Sequence, residues 1–183
     1  MPRPRKIPAE TAARSIMEAF WEKGFDSTSL ADLMAATGLK KGSLYNAYGD
    51  KSRMFQMALL KYDSDMVAGM IETMDGMSGP DAITAFLTAP TQAAETGDRR
   101  GCLLCNSMGE YQNLDNVARQ IVHRTRAQLE RAIHRALQRS DKAAAGLEPG
   151  ELQALYFGMQ IMVRGGVSAE QLDAIAQRAL ARI

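Results

Sequence analysis

Three glycines, Gly24, Gly38 and Gly49, cut the first fifty residues into short helical pieces with almost no chain between them, and this spacing constrains the fold more than any other feature. The first piece is predicted over residues 8–23. Pro8 suits the first helical position, where no backbone N–H is needed, and Ala12, Ile16, Ala19 and Phe20 fall on one face at helical spacing. Gly24 supplies the left-handed residue that ends it. Ser27, Thr28 and Ser29 offer N-cap oxygens to a second piece, whose apolar face is Leu30, Leu33 and Met34 and which stops at Gly38. A third starts near Lys40–Gly42 and ends before Gly49. Helix, tight glycine-containing turn, helix, with the apolar Leu39 in the turn, is the pattern of a helix-turn-helix.

The remainder also reads as helix. Asp50 caps a long segment with an apolar stripe of Phe55, Leu59, Tyr62, Met66, Met70 and Met74. Gly76 to Pro80 breaks it, another segment spans about 81–95, and Gly97 closes that one. A short helix begins in the run Arg99 to Cys105. A long one covers about 115–139, with Val117, Ile121, Thr125, Leu129, Ala132, Ile133 and Ala136 on one side, followed by a small polar loop over 140–146. Pro149 opens the next, and Ser168 with Gln171 forms a capping box for the last, whose stripe is Leu172, Ile175, Ala176, Ala179 and Ile183. The β-branched runs that announce strands are missing. The expectation is an all-α protein of about nine helices, divided into residues 1–50 and 51–183, with the helix that starts at 51 joining the two.

Charge sharpens that division. The whole chain is +1, which by itself argues against a nucleic-acid binder. Residues 1–61, however, hold 10 Lys/Arg against 6 Asp/Glu, and residues 62–183 hold 12 against 15. A basic module coinciding with the helix-turn-helix is joined to an acidic one. A 46% hydrophobic, 23% charged composition excludes a disordered tail, a collagen-like fibre and a disulfide-dense secreted module. The longest uncharged run, Ala82 to Ala94, contains Pro90 and is too short to span a bilayer, and no apolar stretch follows the basic N-terminus. A reduced cytoplasmic setting without membrane contact is expected.

The run Gly24-Phe25-Asp26-Ser27-Thr28-Ser29-Leu30, then Ala35-Ala36-Thr37-Gly38-Leu39, then Gly42-Ser43-Leu44-Tyr45-Asn46-Ala47-Tyr48-Gly49-Asp50-Lys51 resembles the N-terminal domain of TetR/AcrR transcriptional regulators across about fifty residues. The resemblance implies a homodimeric DNA-binding regulator, usually a repressor, reading an approximately palindromic double-stranded operator. The third helix is then the recognition helix. Its N-terminal end offers Lys40, Lys41, Gly42 and Ser43, small or cationic groups suited to base edges and phosphates. Tyr45 and Tyr48 carry hydroxyls within reach of phosphate, and Thr28 would present its hydroxyl and a helix N-terminus. Lys51 plays a similar part in the family. Leu30, Leu33, Leu39 and Leu44 are core. The family often has His where this chain has Ala47, so Asn46 takes on the contact there, to adenine or to backbone. The arm Arg3-Pro4-Arg5-Lys6 would follow phosphates or the minor groove.

By the same resemblance residues 51–183 bind a small-molecule or electrophile inducer and form the dimer. The stripes of the last two helices, with Leu152, Leu155, Met159 and Met162 on one and Leu172, Ile175 and Ala179 on the other, would pair with their symmetry mates as a four-helix bundle. Met66 and Met70 either fill core or line a pocket with Phe86, Tyr111, Gln112, Tyr156 and Gln160. The run Arg100-Gly101-Cys102-Leu103-Leu104-Cys105 is a weak zinc signal, because His123 and His134 lie elsewhere; no metal and no cofactor are expected. Cys102 at a helix N-terminus behind Arg99 and Arg100 would have a lowered thiol pKa, with Cys105 as resolving partner. The run resembles a subgroup that senses oxidants or electrophiles through a cysteine at this place. The competing readings are simple burial of both thiols and, as a different class, a helical thiol oxidoreductase, for which no base or cofactor loop is present. A ligand-binding helical protein without DNA binding is the remaining alternative.

Overall fold

The computed structural model describes residues 7–140 and 148–181. The basic arm at 3–6, the loop after Ser140 and Ile183 lie outside them. Among the described residues there are nine helices and no strand. Three of them form the N-terminal unit: α1 (Ala9–Ser27) and the shorter α2 (Leu30–Thr37) and α3 (Lys41–Tyr48). The helix α4 runs as Lys51–Tyr62, passes through a π-helical turn at Asp63–Val67 and continues as Ala68–Asp75. The body is completed by α5 (Gly79–Glu95), α6 (Leu103–Gly109), a 3-10 turn at Tyr111–Asn113, α7 (Asn116–Gln138), α8 (Pro149–Arg164) and α9 (Ala169–Leu180). No helix among the described residues is long and apolar enough to cross a membrane.

Caps stand close to where the chain chemistry asks for them. Pro8 is the N-cap of α1 rather than its first helical residue. Ser29 and Asp32 form a reciprocal capping box at α2, and Asp50, Ser78, Asp115 and Ser168 each accept an N-terminal amide of the following helix. Gly38 closes α2 in the left-handed region.

One continuous core joins the two units. In the N-terminal part Phe20 meets Phe55 edge-on at 5.0 Å, while Leu33, Leu44 and Met54 are fully enclosed beside them. Packing of α1 along α4 anchors that unit to the body, where α5 lies against α8 and α9 and α7 against α4 and α8.

The π turn corrects the predicted stripe of α4. A π turn accommodates one residue more than α-helical geometry does, so the buried face advances by one position. Val67 is buried where Met66 was expected, and Met66 is 42% exposed; Met70 is half-buried and Met74 is buried. On α7, Val117 is exposed, while Ile121, Thr125, Leu129 and the later stripe members are buried.

Candidate nucleic-acid interface and the interior of the helical body

The surface of α3 is almost wholly free. Only Leu44 is buried; Lys40, Lys41, Gly42, Ser43, Asn46 and Ala47 are exposed and Tyr45 is 40% exposed. Neither Lys40 nor Lys41 is in an ion pair among the described residues. The helix begins at Lys41 after the tight turn at Gly38–Leu39, so its first-turn amides and the two ammonium groups present positive charge together. Tyr48 is half-buried, and its hydroxyl donates to Ala9 O at 3.4 Å.

Two of the expected phosphate contacts are already engaged within the molecule. Thr28 is fully buried, and its hydroxyl donates to Gly24 O at 2.5 Å, with Ala19 O at 3.4 Å. Its side chain satisfies the end of α1 instead of presenting itself to solvent, so the outward groups at this corner are Ser27 and Ser29. Lys51 is half-buried; its Nζ donates to Asp26 O at 3.2 Å and lies 4.7 Å from the centre of the Phe25 ring. Lys23 and the Ser29 cap hold the Asp32 carboxyl far below the usual carboxylate range.

The predicted ligand residues divide into an interior cluster and a surface group. Inside, Phe86 and Tyr156 stack at 4.2 Å, and Tyr62 donates to Cys102 Sγ at 3.4 Å. Cys105 donates to Phe157 O at 3.5 Å, and Gln160 is buried. Tyr111 is half-buried and Gln112 exposed on the 3-10 turn, with the Tyr111 hydroxyl 2.6 Å from His123 Nε2. Tyr111 and His123 line a surface groove of about 490 Å³ together with Met108, Val122 and Arg126, and neither borders the cysteines.

The setting of the two thiols differs from the activated-thiol expectation. Both cysteines are free and buried. Arg99 turns away to Val167 O, and Arg100 forms a two-pronged ion pair with Asp98 while lying 3.8 Å from the centre of the Trp21 ring. With those charges engaged elsewhere, burial pushes the Cys102 thiol up and the Cys105 thiol up to about 12. Burial also raises the Tyr62 and Tyr156 hydroxyls. Among the described residues no group of three or more His, Cys, Asp and Glu could hold a metal ion.

The stripes assigned to a dimer contact are divided between the interior of the protomer and its margin. Leu152, Met159 and Leu172 are buried within the protomer, and Leu155, Met162, Ile175 and Ala179 are half-buried. A helix in a bundle needs two faces, and the stripe of the sequence runs along the inner one and its edge. The outer face of α8 carries Ala154, Gly158 and Ile161, the last 60% exposed.

Sequence reasoning missed the residues that join the two units. Trp21 Nε1 donates to Gly101 O at 2.8 Å, and Glu110 accepts from the Phe25 and Asp26 amides. Arg164 reaches Trp21 O, Glu22 O and Arg100 O. These pairs are up to 143 positions apart and carry no local spacing signal.

Comparison with known proteins agrees with this geometry. A family model described as bacterial regulatory proteins, tetR family, matches residues 14–58. The HTH-type transcriptional repressor BdcR of Escherichia coli (strain K12) is 26% identical over 179 residues, covering 97% of this chain and 89% of that protein. The uncharacterized HTH-type transcriptional regulator YezE of Bacillus subtilis (strain 168) is 30% identical over 142 residues, covering 76% and 73%. A cysteine mutant of the TetR family transcriptional regulator CifR, complexed with 26-bp double-strand operator DNA, superposes with a TM-score of 0.78 at 26% identity over 98% of both chains. The helix-turn-helix, the all-helical body and these likenesses along nearly the whole length make this chain a member of the TetR family of bacterial regulatory proteins.

Proposed function

We propose that the protein is a homodimeric transcriptional repressor that binds an approximately palindromic double-stranded operator and is released from it by a small apolar ligand or by modification of a cysteine. The observation that carries the DNA reading is the free N-terminal end of α3. Two lysines with no ion-pair partner among the described residues, Gly42 and Ser43 stand there, beyond a single buried anchor, Leu44. Tyr45 and Asn46 extend the same surface, and Tyr48 and Lys51 border it. The likeness to CifR, solved on operator DNA, supports the same partner. The outer face of α8, with the half-buried Leu155, Met162, Ile175 and Ala179 at its margins, is the contact proposed between protomers.

Release acts through the interior cluster. Phe86, Tyr156, Cys102 and Cys105 belong to the packed core, with Gln160 bonded to Tyr156 and Met70 partly buried against the same core, so an inducer enters there by displacing side chains. The buried, protonated thiols favour the apolar ligand as the primary trigger. An electrophile reaches Cys102 once that core has opened.

A gel shift of the full-length protein on DNA flanking its own gene tests the reading. A discrete salt-sensitive complex that is lost in a Lys40→Ala/Lys41→Ala variant is expected. Equal retention of that duplex and a scrambled one by the wild-type protein would refute operator recognition. Treatment with an electrophile separates the two release routes: release in both wild type and Cys102→Ser excludes Cys102 as the switch.

A further inference from the structure

In an unbroken α-helix the amides of Phe25 and Asp26 donate to the carbonyls of Trp21 and Glu22, four residues back. At Gly24, with φ 83° and ψ 175°, the helical path of α1 is interrupted. Both sets of groups have partners from the body. Glu110 Oε2 accepts from the Phe25 amide at 2.7 Å and Oε1 from the Asp26 amide at 3.1 Å. Arg164 donates to Trp21 O at 3.3 Å and to Glu22 O at 2.9 Å. A carboxylate meets the donors, and a guanidinium meets the acceptors. The two side chains come from different elements, Glu110 from the end of α6 and Arg164 from the last turn of α8.

We infer that Glu110 and Arg164 are positioning residues for operator recognition: together they plug the break at Gly24 and fix the angle at which α2 and α3 leave α1. The inference rests on the DNA-binding reading above. Three further contacts make the plug directional. Asn113 donates to the Asp26 carboxylate, Trp21 donates to Gly101 O just before α6, and Arg164 also holds Arg100 O. The segment from Gly101 to Asn113 is therefore fastened to the α1–α2 corner at both ends. Cys102 and Cys105 lie between those ends. A Cβ on Gly24 would stand 2.7 Å from Glu110 Oε1, so glycine is what admits the carboxylate. Displacing α6 by an inducer moves the corner without any contact between inducer and DNA.

The test uses full-length wild type, Glu110→Ala, Glu110→Gln and Arg164→Met on the flanking-gene duplex. Fluorescence anisotropy is recorded across a salt series, and backbone hydrogen exchange in the DNA-free protein. Loss of the plug leaves the DNA-facing side chains in place but unaligned. Glu110→Ala and Arg164→Met are expected to weaken operator binding about ten-fold, and Glu110→Gln, which keeps one acceptor, about three-fold. The salt slope stays that of wild type, because the same phosphates are met once bound. Exchange accelerates over residues 24–30 and not in α5 or α7. If Glu110→Ala does not fold, the equal-sized Glu110→Gln decides. Affinities within about two-fold of wild type for all variants overturn the inference, as does a shallower salt slope, which would mean lost contacts and not lost alignment. Wild-type protein that ignores the duplex overturns the operator reading itself, a result distinguishable from either.

Discussion

Replacing Gly24 by alanine puts the packing of the corner to a quantitative test. Its φ 83° and ψ 175° lie in a region that is essentially glycine's alone, and holding another residue there costs about 1–3 kcal/mol. The added Cβ would lie 2.7 and 3.0 Å from the two Glu110 oxygens, so the carboxylate must swing away from the Phe25 and Asp26 amides. Glu110 is half-buried, so we take the low end of the range for hydrogen bonds to a charged group, about 1.5 kcal/mol for the pair. Gly24→Ala should then lose about 2.5–4.5 kcal/mol and Glu110→Ala about 1.5 kcal/mol. The double variant has no carboxylate to displace, so it should lose as much as Gly24→Ala alone, short of the sum of the two single losses by about 1.5 kcal/mol. Urea unfolding at fixed protein concentration, followed by the fluorescence of Trp21, the single tryptophan, reads all four proteins. Losses that add to within about 0.5 kcal/mol would show that the methyl and the carboxylate do not compete, and the reasoning would fail.

Other consequences follow from the interior and the surface. The Cys105 thiol, raised to about 12 in the folded state, is ionised earlier in the unfolded chain, so its contribution is intact below about pH 8.5 and fades as pH rises from there toward 12. Wild-type stability should fall with pH more steeply than that of Cys105→Ala, by up to about 1.4 kcal/mol per unit; parallel urea midpoints between pH 8 and 10.5 would contradict this. Thiol labelling should be slow at pH 8 and become fast only in denaturant, whereas rapid native labelling of Cys102 would contradict its burial. Met74→Ala should cost about 2–5 kcal/mol and Met66→Ala less than about 0.5 kcal/mol, and equal losses in thermal melts would refute the register assigned to α4. Tyr45→Ala and Lys51→Ala should each weaken binding to any duplex, the lysine change with a salt slope shallower by about one; an unchanged slope would confine Lys51 to its contacts with Asp26 and Phe25.

The helix-turn-helix was legible because its signals are local. Gly24, Gly38 and Gly49 interrupt the helices, Ser29 and Asp50 cap them, and Leu30, Leu33 and Met34 recur at helical spacing, so each boundary is written within four residues of itself. Thr28 is ambiguous for a related reason: a threonine after a helix can cap forward or bond backward, and only the path of the chain past Gly24 selects the second. The π turn in α4 was invisible because Phe55, Leu59, Tyr62 and Met66 continue a regular α-helical series, and the extra residue is imposed by packing. The flanking arginines of Cys102 suggested a reactive thiol, yet Asp98, Trp21 and Val167 take up both guanidinium groups. Glu110 and Arg164 had no signal at all, since their partners lie far away in sequence and are backbone atoms, which leave no mark on composition.

The π turn means that α4 carries a spare residue. Above it the helix is phased to bury Phe55, Leu59 and Tyr62 beneath the N-terminal unit; below it Val67, Met70 and Met74 are phased to the body. Deleting one residue between Asp63 and Met66 would let the segment relax to an ordinary α-helix with both faces still in phase. A deletion of the same size between residues 52 and 61 would rotate one face out of the core by about 100°. The junction of the two units is thus the one stretch of this helix where the chain can shorten by a residue and keep both its fold and the angle between reading head and body.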